Sequence, residues 1–125
     1  MSKKILLVED DNELRELYAL LLRDHGYEIT EAVDGEAGLQ EISKGGYDLV
    51  LLDIMLPFMD GLDIIRTIVK KGGTPTQSLS SIVLLTNLSQ DQIVSEALEL
   101  GVKGYLIKSD YNPEQLLEII DSFFA

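Results

Sequence analysis

The chain predicts an α/β fold, with one parallel sheet of five strands and helices on both faces. Three observations predict it. Short apolar runs recur five times, each followed by a segment with helical spacing, and that alternation is the pattern of a covered parallel sheet. One run, Leu49 to Leu52, is apolar without interruption, as a strand buried on both faces must be. Charged residues collect where the runs end, at Glu9-Asp10, Asp53 and Lys108, the edge on which open α/β sheets carry their sites.

Lys4 to Val8 reads as the first buried strand and ends in Glu9-Asp10-Asp11. From Asn12 to about His25, Leu14, Leu17, Tyr18, Leu21 and Leu22 recur at helical spacing and predict the first helix. Asp11 or Asn12 caps it and Gly26 ends it. Tyr27 to Val33 is a second, short strand. Asp34 caps a second helix, Gly35 to Ser43, closed by Gly45-Gly46. The third strand is Leu49 to Leu52, with Asp53 at its end. Phe58-Met59-Asp60-Gly61 is a turn, and Leu62 to Lys70 a third helix with Leu62, Ile65, Ile68 and Val69 as its stripe. The loop after Lys70, rich in Gly, Thr and Pro, is a surface connection rather than a domain boundary, because a fourth strand, Ser81 to Thr86, follows closely. Ser89 or Asp91 starts a fourth helix that ends at Gly101. Lys103 to Ile107 is a fifth strand, ending in Lys108. Asn112 or Asp110 caps the last helix, with Pro113 in its first turn and Leu116, Leu117, Ile119, Ile120 and Phe123 along it. Right-handed crossovers in so short a chain favour the flavodoxin-like strand order 2-1-3-4-5.

The 125 residues, 46% of them hydrophobic, fit a single domain spanning 1–125. Without cysteine there is neither a disulfide framework nor a thiolate metal site. The N-terminus has no long apolar stretch, so a signal peptide or membrane anchor is not expected and the reading is cytoplasmic. With 22 acidic against 10 basic residues the net charge is -12, a poor match for a phosphate backbone, so direct nucleic-acid binding is not expected. A divalent cation or a basic partner surface suits it better.

In the order 2-1-3-4-5 the first and third strands are neighbours, so Glu9, Asp10 and Asp53 converge. Carboxylates that close are unfavourable unless something neutralises them. Oxygen ligands of this kind suit Mg²⁺, which keeps waters for a phosphate to displace. Thr86 ends the fourth strand with a hydroxyl and Lys108 ends the fifth with a cation. Together these make a site for a phosphoryl group. There is no glycine-rich phosphate loop, so a nucleotide is not indicated, and Asp53 is the natural covalent acceptor. His25, the only histidine, is expected at the surface near a helix C-terminus, not as a phosphate relay.

Ile-Leu-Leu-Val-Glu9-Asp10-Asp11, Asp53-Ile-Met-Leu-Pro57 with Met59-Asp60-Gly61, Leu85-Thr86 and Gly104-Tyr105-Leu-Ile-Lys108 are the motifs in which the chain resembles the receiver domain of two-component response regulators. The resemblance runs over essentially the whole chain. It implies that Asp53 accepts a phosphoryl group from a histidine kinase or a histidine phosphotransfer protein. It implies Mg²⁺ at Asp10, Asp53 and the Met55 carbonyl, with Glu9 acting through water. Thr86 and Tyr105 look like the family's switch pair, which alters the face of the fourth helix, fifth strand and fifth helix and so controls binding of a downstream effector. The implied role is a phosphoacceptor, not a turnover enzyme. The kinase-docking surface implied is the first helix near Leu14 and the loop at Pro57-Phe58, with Phe58 either an exposed anchor or packed against the third helix.

Three departures matter. Ser109 follows Lys108 where the family usually has proline, and a cis bond without proline costs roughly 2.5–4 kcal/mol, so a trans bond is expected. Asn87 follows Thr86 where a small residue is usual, which implies altered dephosphorylation. The loop from Lys70 to Ser81 is longer than usual. The Asp-Ile-Met-Leu-Pro string is similar to regulators that carry a winged-helix DNA-binding domain, yet the last two helices lack the dense charge pattern of those regulators. The reading favoured is a stand-alone receiver acting by protein contact; the alternatives are an N-terminal fragment of a DNA-binding regulator and a phosphorylation-independent pseudo-receiver. A phosphohydrolase would need a second acid near the nucleophile, and position 55 is Met. A flavin phosphate would be repelled by the acidic cluster.

Overall fold

In the computed structural model, which describes residues 2–70, 79–87 and 91–124, each predicted run forms its element. Strands β1 (Lys4–Val8), β2 (Glu28–Ala32), β3 (Leu49–Asp53), β4 (Ile82–Thr86) and β5 (Gly104–Ile107) alternate with helices α1 (Asn12–Asp24), α2 (Gly35–Lys44), α3 (Gly61–Lys70), α4 (Asp91–Leu100) and α5 (Pro113–Ser122). All neighbours pair in parallel, in the order β2-β1-β3-β4-β5. Every residue of β3 and β4 is buried, as their unbroken apolar runs require.

Alternation along the strands divides the core into two layers. Leu6, Val8, Val50, Leu52 and Leu84 face Ile42 of α2, Ile65 of α3 and Ala97 of α4. Ile5, Leu7, Leu49, Leu51 and Leu85 face Tyr18 and Leu22 of α1 and Leu116 and Ile120 of α5. Helix ends follow from local chemistry. Asp11 accepts from the Leu14 amide at 3.1 Å, Asp34 from the Ala37 amide at 2.8 Å, and Asn112 exchanges bonds with Gln115 in a capping box. His25 closes α1 and Gly26 then turns at φ +103°, a conformation that favours glycine.

Differences from expectation are small and local. β2 is shorter than Tyr27 to Val33, and Lys103 lies ahead of β5. Ser81 belongs to a 3-10 turn, Leu79–Ser81, that leads into β4. α3 begins one residue early, at Gly61, because Asp60 accepts from the Asp63 amide at 2.9 Å. The inward stripe of α1 is Arg15, Tyr18, Ala19 and Leu22, while Leu17 is turned out, 47% exposed. Val69 is likewise turned out, and α3 buries Ile64 instead. Of the long loop, residues 71–78 lie outside the described residues, as does Ser89. The Lys108-Ser109 bond is trans, inside a 3-10 turn, Lys108–Asp110.

Candidate functional site

The register Val8↔Leu52 sets the ends of β1 and β3 side by side, so the next residues, Glu9 and Asp53, meet at the C-terminal edge of the sheet. Both are almost fully buried, 1% and 2% exposed. Two bare carboxylates could not stay there as anions without a partner. Lys108, arriving from β5, supplies it. Its Nζ lies 2.6 Å from Glu9 Oε1 and 2.7 Å from Asp53 Oδ2, so one tethered cation bridges both. Burial works against the ammonium, but its hydrogen bonds to Asp53 and Glu9 outweigh that and raise its pKa. Burial, with the adjoining Asp53, pushes the Glu9 carboxyl up against the opposing pull of Lys108.

The remaining carboxylate oxygens are aimed by backbone. Asp53 Oδ1 accepts from the Met55 amide at 3.1 Å and Glu9 Oε2 from the Asp11 amide at 3.2 Å. Gly61 starts α3 directly against this strand end: a Cβ there would lie 2.8 Å from the Asp53 carbonyl oxygen, so glycine lets the helix approach. Asp10 is exposed, and it completes an acidic cluster in which one oxygen from each of Glu9, Asp10 and Asp53 lies within 4.8 Å of the others. Such a set fits a hard divalent cation that keeps several waters.

Thr86, buried at the end of β4, donates its hydroxyl to the Asn87 carbonyl at 2.8 Å. Tyr105 on β5 shares the α4-facing side of the sheet with Thr86, by register with Leu84, and is 46% exposed. Asn87 is exposed beside them. Phe58 is fully exposed and is the one non-glycine among the described residues with positive φ, at +66°. With Pro57 and Met59 it borders a groove of about 560 Å³ whose other wall is the start of α2, from Asp34 to Gln40.

Two groups escaped the sequence reading. Arg15 is buried, and its guanidinium reaches the Glu9 carbonyl at 3.0 Å; the only signal was an arginine at the i−3 position from Tyr18 on the inward stripe. His25 is more than a surface residue: its Nε2 lies 2.8 Å from Asp121 Oδ2 on α5, and Tyr27 donates to the other oxygen of that carboxylate. A contact between residues so far apart in the chain leaves no local pattern.

Comparison with known proteins follows the same lines. Residues 5–121 match the family model described as the response regulator receiver domain. The transcriptional regulatory protein DltR of Streptococcus agalactiae is 40% identical over 114 residues, 91% of this chain and 48% of that protein. The DNA-binding response regulator MtrA of Mycolicibacterium paratuberculosis is 35% identical over 117 residues, 94% of this chain and 49% of that protein. The chain thus spans about half the length of these curated relatives. Among solved structures, chemotaxis protein CheY4 of Vibrio cholerae superposes with a TM-score of 0.81 at 27% identity, covering 98% of this chain and 99% of that one. The receiver domain of sensor histidine kinase PA1611 of Pseudomonas aeruginosa, solved with magnesium coordinated in its active-site cleft, superposes with a TM-score of 0.80 at 28% identity, covering 98% of each chain. A family model that runs from the first strand into the last helix, on a sheet of this order, settles the matter: the chain belongs to the family of response regulator receiver domains of two-component signalling.

Proposed function

We propose that Asp53 is the phosphoacceptor and that the domain takes its phosphoryl group from a histidine kinase or histidine phosphotransfer protein. The observation that carries this is the geometry at Lys108, whose single ammonium bridges buried Glu9 and Asp53 beside exposed Asp10. An Asp53 carboxylate oxygen attacks phosphorus; the O–P bond forms as the P–N bond to the donor imidazole breaks, and the leaving nitrogen takes a proton. Lys108 and Thr86 hold the phosphoryl oxygens as charge spreads over them. Asp10, Asp53 and the Met55 carbonyl would hold Mg²⁺, with Glu9 acting through water, and the ion would supply neutralisation of charge on the transferring group. The domain is in this reading an acceptor, not a turnover enzyme.

Thr86 then moves toward the phosphoryl group and vacates its place beside Tyr105, which turns inward and changes the α4/β5/α5 face offered to an effector. Docking of the donor uses α1 near Leu14 and the exposed Phe58, which stands beside the site on the β3–α3 loop. Among the described residues no helix is long and apolar enough to cross a membrane. A second reading of the output is favoured by the relatives, which are about twice as long and are named as transcriptional or DNA-binding regulators. In it, a domain like this governs a DNA-binding unit by phosphorylation-dependent pairing.

Intact-mass analysis after incubation with acetyl phosphate and Mg²⁺ tests the acceptor. One added phosphoryl group, absent in Asp53→Asn and absent without Mg²⁺, is expected. The same adduct on Asp53→Asn would place the acceptor elsewhere.

A further inference from the structure

Arg15 is the most buried lysine or arginine among the described residues, at 7% exposure. A guanidinium on a helix flank ordinarily lifts its charge into water. Burying it is costly unless its donors are used. Here they converge on the turn that carries the acidic cluster. Nη1 donates to the Glu9 carbonyl at 3.0 Å and Nη2 to Asn12 Oδ1 at 2.8 Å. Nε lies 3.3 Å from Glu31 Oε1 on β2 as an ion pair without hydrogen-bond alignment. The other Glu31 oxygen is held by Arg23 at 3.2 Å. So the two Nη donors aim the guanidinium, and Glu31 supplies a counter-charge behind it.

Glu9 is thereby gripped on both sides of its α-carbon. Its amide donates to the Ala32 carbonyl of β2 at 3.1 Å, and its carbonyl is taken by Arg15. The peptide joining Glu9 to Asp10 is planar, so fixing that carbonyl also fixes the direction of the Asp10 amide and the path by which Asp10 leaves the strand. Asp10 itself is exposed, and the peptides on either side of it are held, the one before by Arg15 on the Glu9 carbonyl and the one after by the Asp11 amide on Glu9 Oε2 at 3.2 Å.

We infer that Arg15 is the positioning residue of the acidic turn: by holding the Glu9 carbonyl from α1, it fixes the peptide that sets Asp10 beside Glu9 and Asp53. This rests on the reading that the three carboxylates hold a divalent cation. Groups that orient metal ligands from outside the coordination shell are worth about 10–100-fold in affinity when removed.

The test is Mg²⁺ titration by calorimetry at a temperature where circular dichroism shows each variant folded, together with the backbone amide resonances of Glu9, Asp10 and Asp11 in the metal-free protein. Arg15→Met is expected to weaken Mg²⁺ roughly tenfold and to shift or broaden the Asp10 amide before any metal is added. Arg15→Lys recovers part of the affinity, because an ammonium reaches one acceptor but not the fork of two. Glu31→Gln loses less than Arg15→Met, since Glu31 backs the guanidinium without aiming it. A merely structural arginine would lower the melting temperature and leave both Mg²⁺ affinity and the Asp10 amide unchanged; that result overturns the inference. Should Arg15→Met not fold, wild-type affinity in both Arg15→Lys and Glu31→Gln overturns it equally. If the wild-type protein binds no Mg²⁺, the metal reading fails, and the metal-free Asp10 amide alone decides whether Arg15 positions the turn.

Discussion

Lys108 is the residue on which the site's charge balance turns. Removing its ammonium leaves Glu9 and Asp53 buried and facing each other, and breaking a buried pair in this way costs about 3–5 kcal/mol. Lys108→Met is therefore expected to lower stability by about 3 kcal/mol at pH 7 without metal. The sign of its pH dependence follows from Glu9, whose carboxyl is already pushed up by burial. A carboxyl held above its unfolded pKa makes the folded state bind more protons, so stability rises as pH falls from the folded value toward the unfolded 4.5. The variant should then regain stability between neutral pH and pH 5, where the wild type regains less. Thermal unfolding from pH 5 to 8 checks it, and a deficit independent of pH would show that the lost term is packing. At this scale the sequence was informative: Glu9, Asp10, Asp53 and Lys108 were legible because charge at the end of an apolar run is conspicuous. Arg15 was not, since an arginine on a helix is ordinarily solvated and nothing local says that this one turns in.

Between elements, the clasp of His25, Tyr27 and Asp121 joins the ends of α1 and α5 at the sheet edge opposite the acidic cluster. The Tyr27 ring also packs at a tilt against Phe124, centroids 5.5 Å apart, with Lys3 Nζ 5.8 Å from the centre of the same Phe124 ring. The hydrogen bond from Tyr27, and then that from His25, hold the Asp121 carboxyl below its ordinary value. A depressed folded-state pKa contributes stability above the unfolded 3.8 and loses it as pH falls through the folded value. Asp121 is about half exposed, so the contribution is below about 1 kcal/mol. Asp121→Asn should lower the melting temperature by about 2–4 °C near pH 6, and the gap to wild type should narrow below pH 4. A gap that widens in acid would refute the clasp. Elements themselves were readable from periodicity and caps, and β3 was placed correctly because an apolar run of this shortness, with Asp48 before it and Pro57 soon after, fits a buried strand. What was misread, such as Leu17 on the inner face of α1, came from leucines on two adjacent faces of one helix, among which only packing chooses.

The molecule as a whole carries a net charge of -12 on 125 residues. Mutual repulsion among its exposed carboxylates opposes folding, and salt screens it over a Debye length that shrinks from about 30 Å at 0.01 M to about 10 Å at 0.1 M. Raising NaCl over that range should raise the melting temperature by about 2–4 °C, read by calorimetry without Mg²⁺. A fall would mean that attractive surface pairs such as Arg66–Glu96 dominate instead. The strand order was legible because short right-handed crossovers leave few choices, whereas the exposure of Phe58 and Tyr105 depends on how the elements pack and has no local signature. A bulky residue in the left-handed region is about 1 kcal/mol less comfortable than glycine would be, and the Phe58 ring stands fully exposed at the border of the groove beside α2. Stability of the folded domain therefore does not account for phenylalanine at position 58.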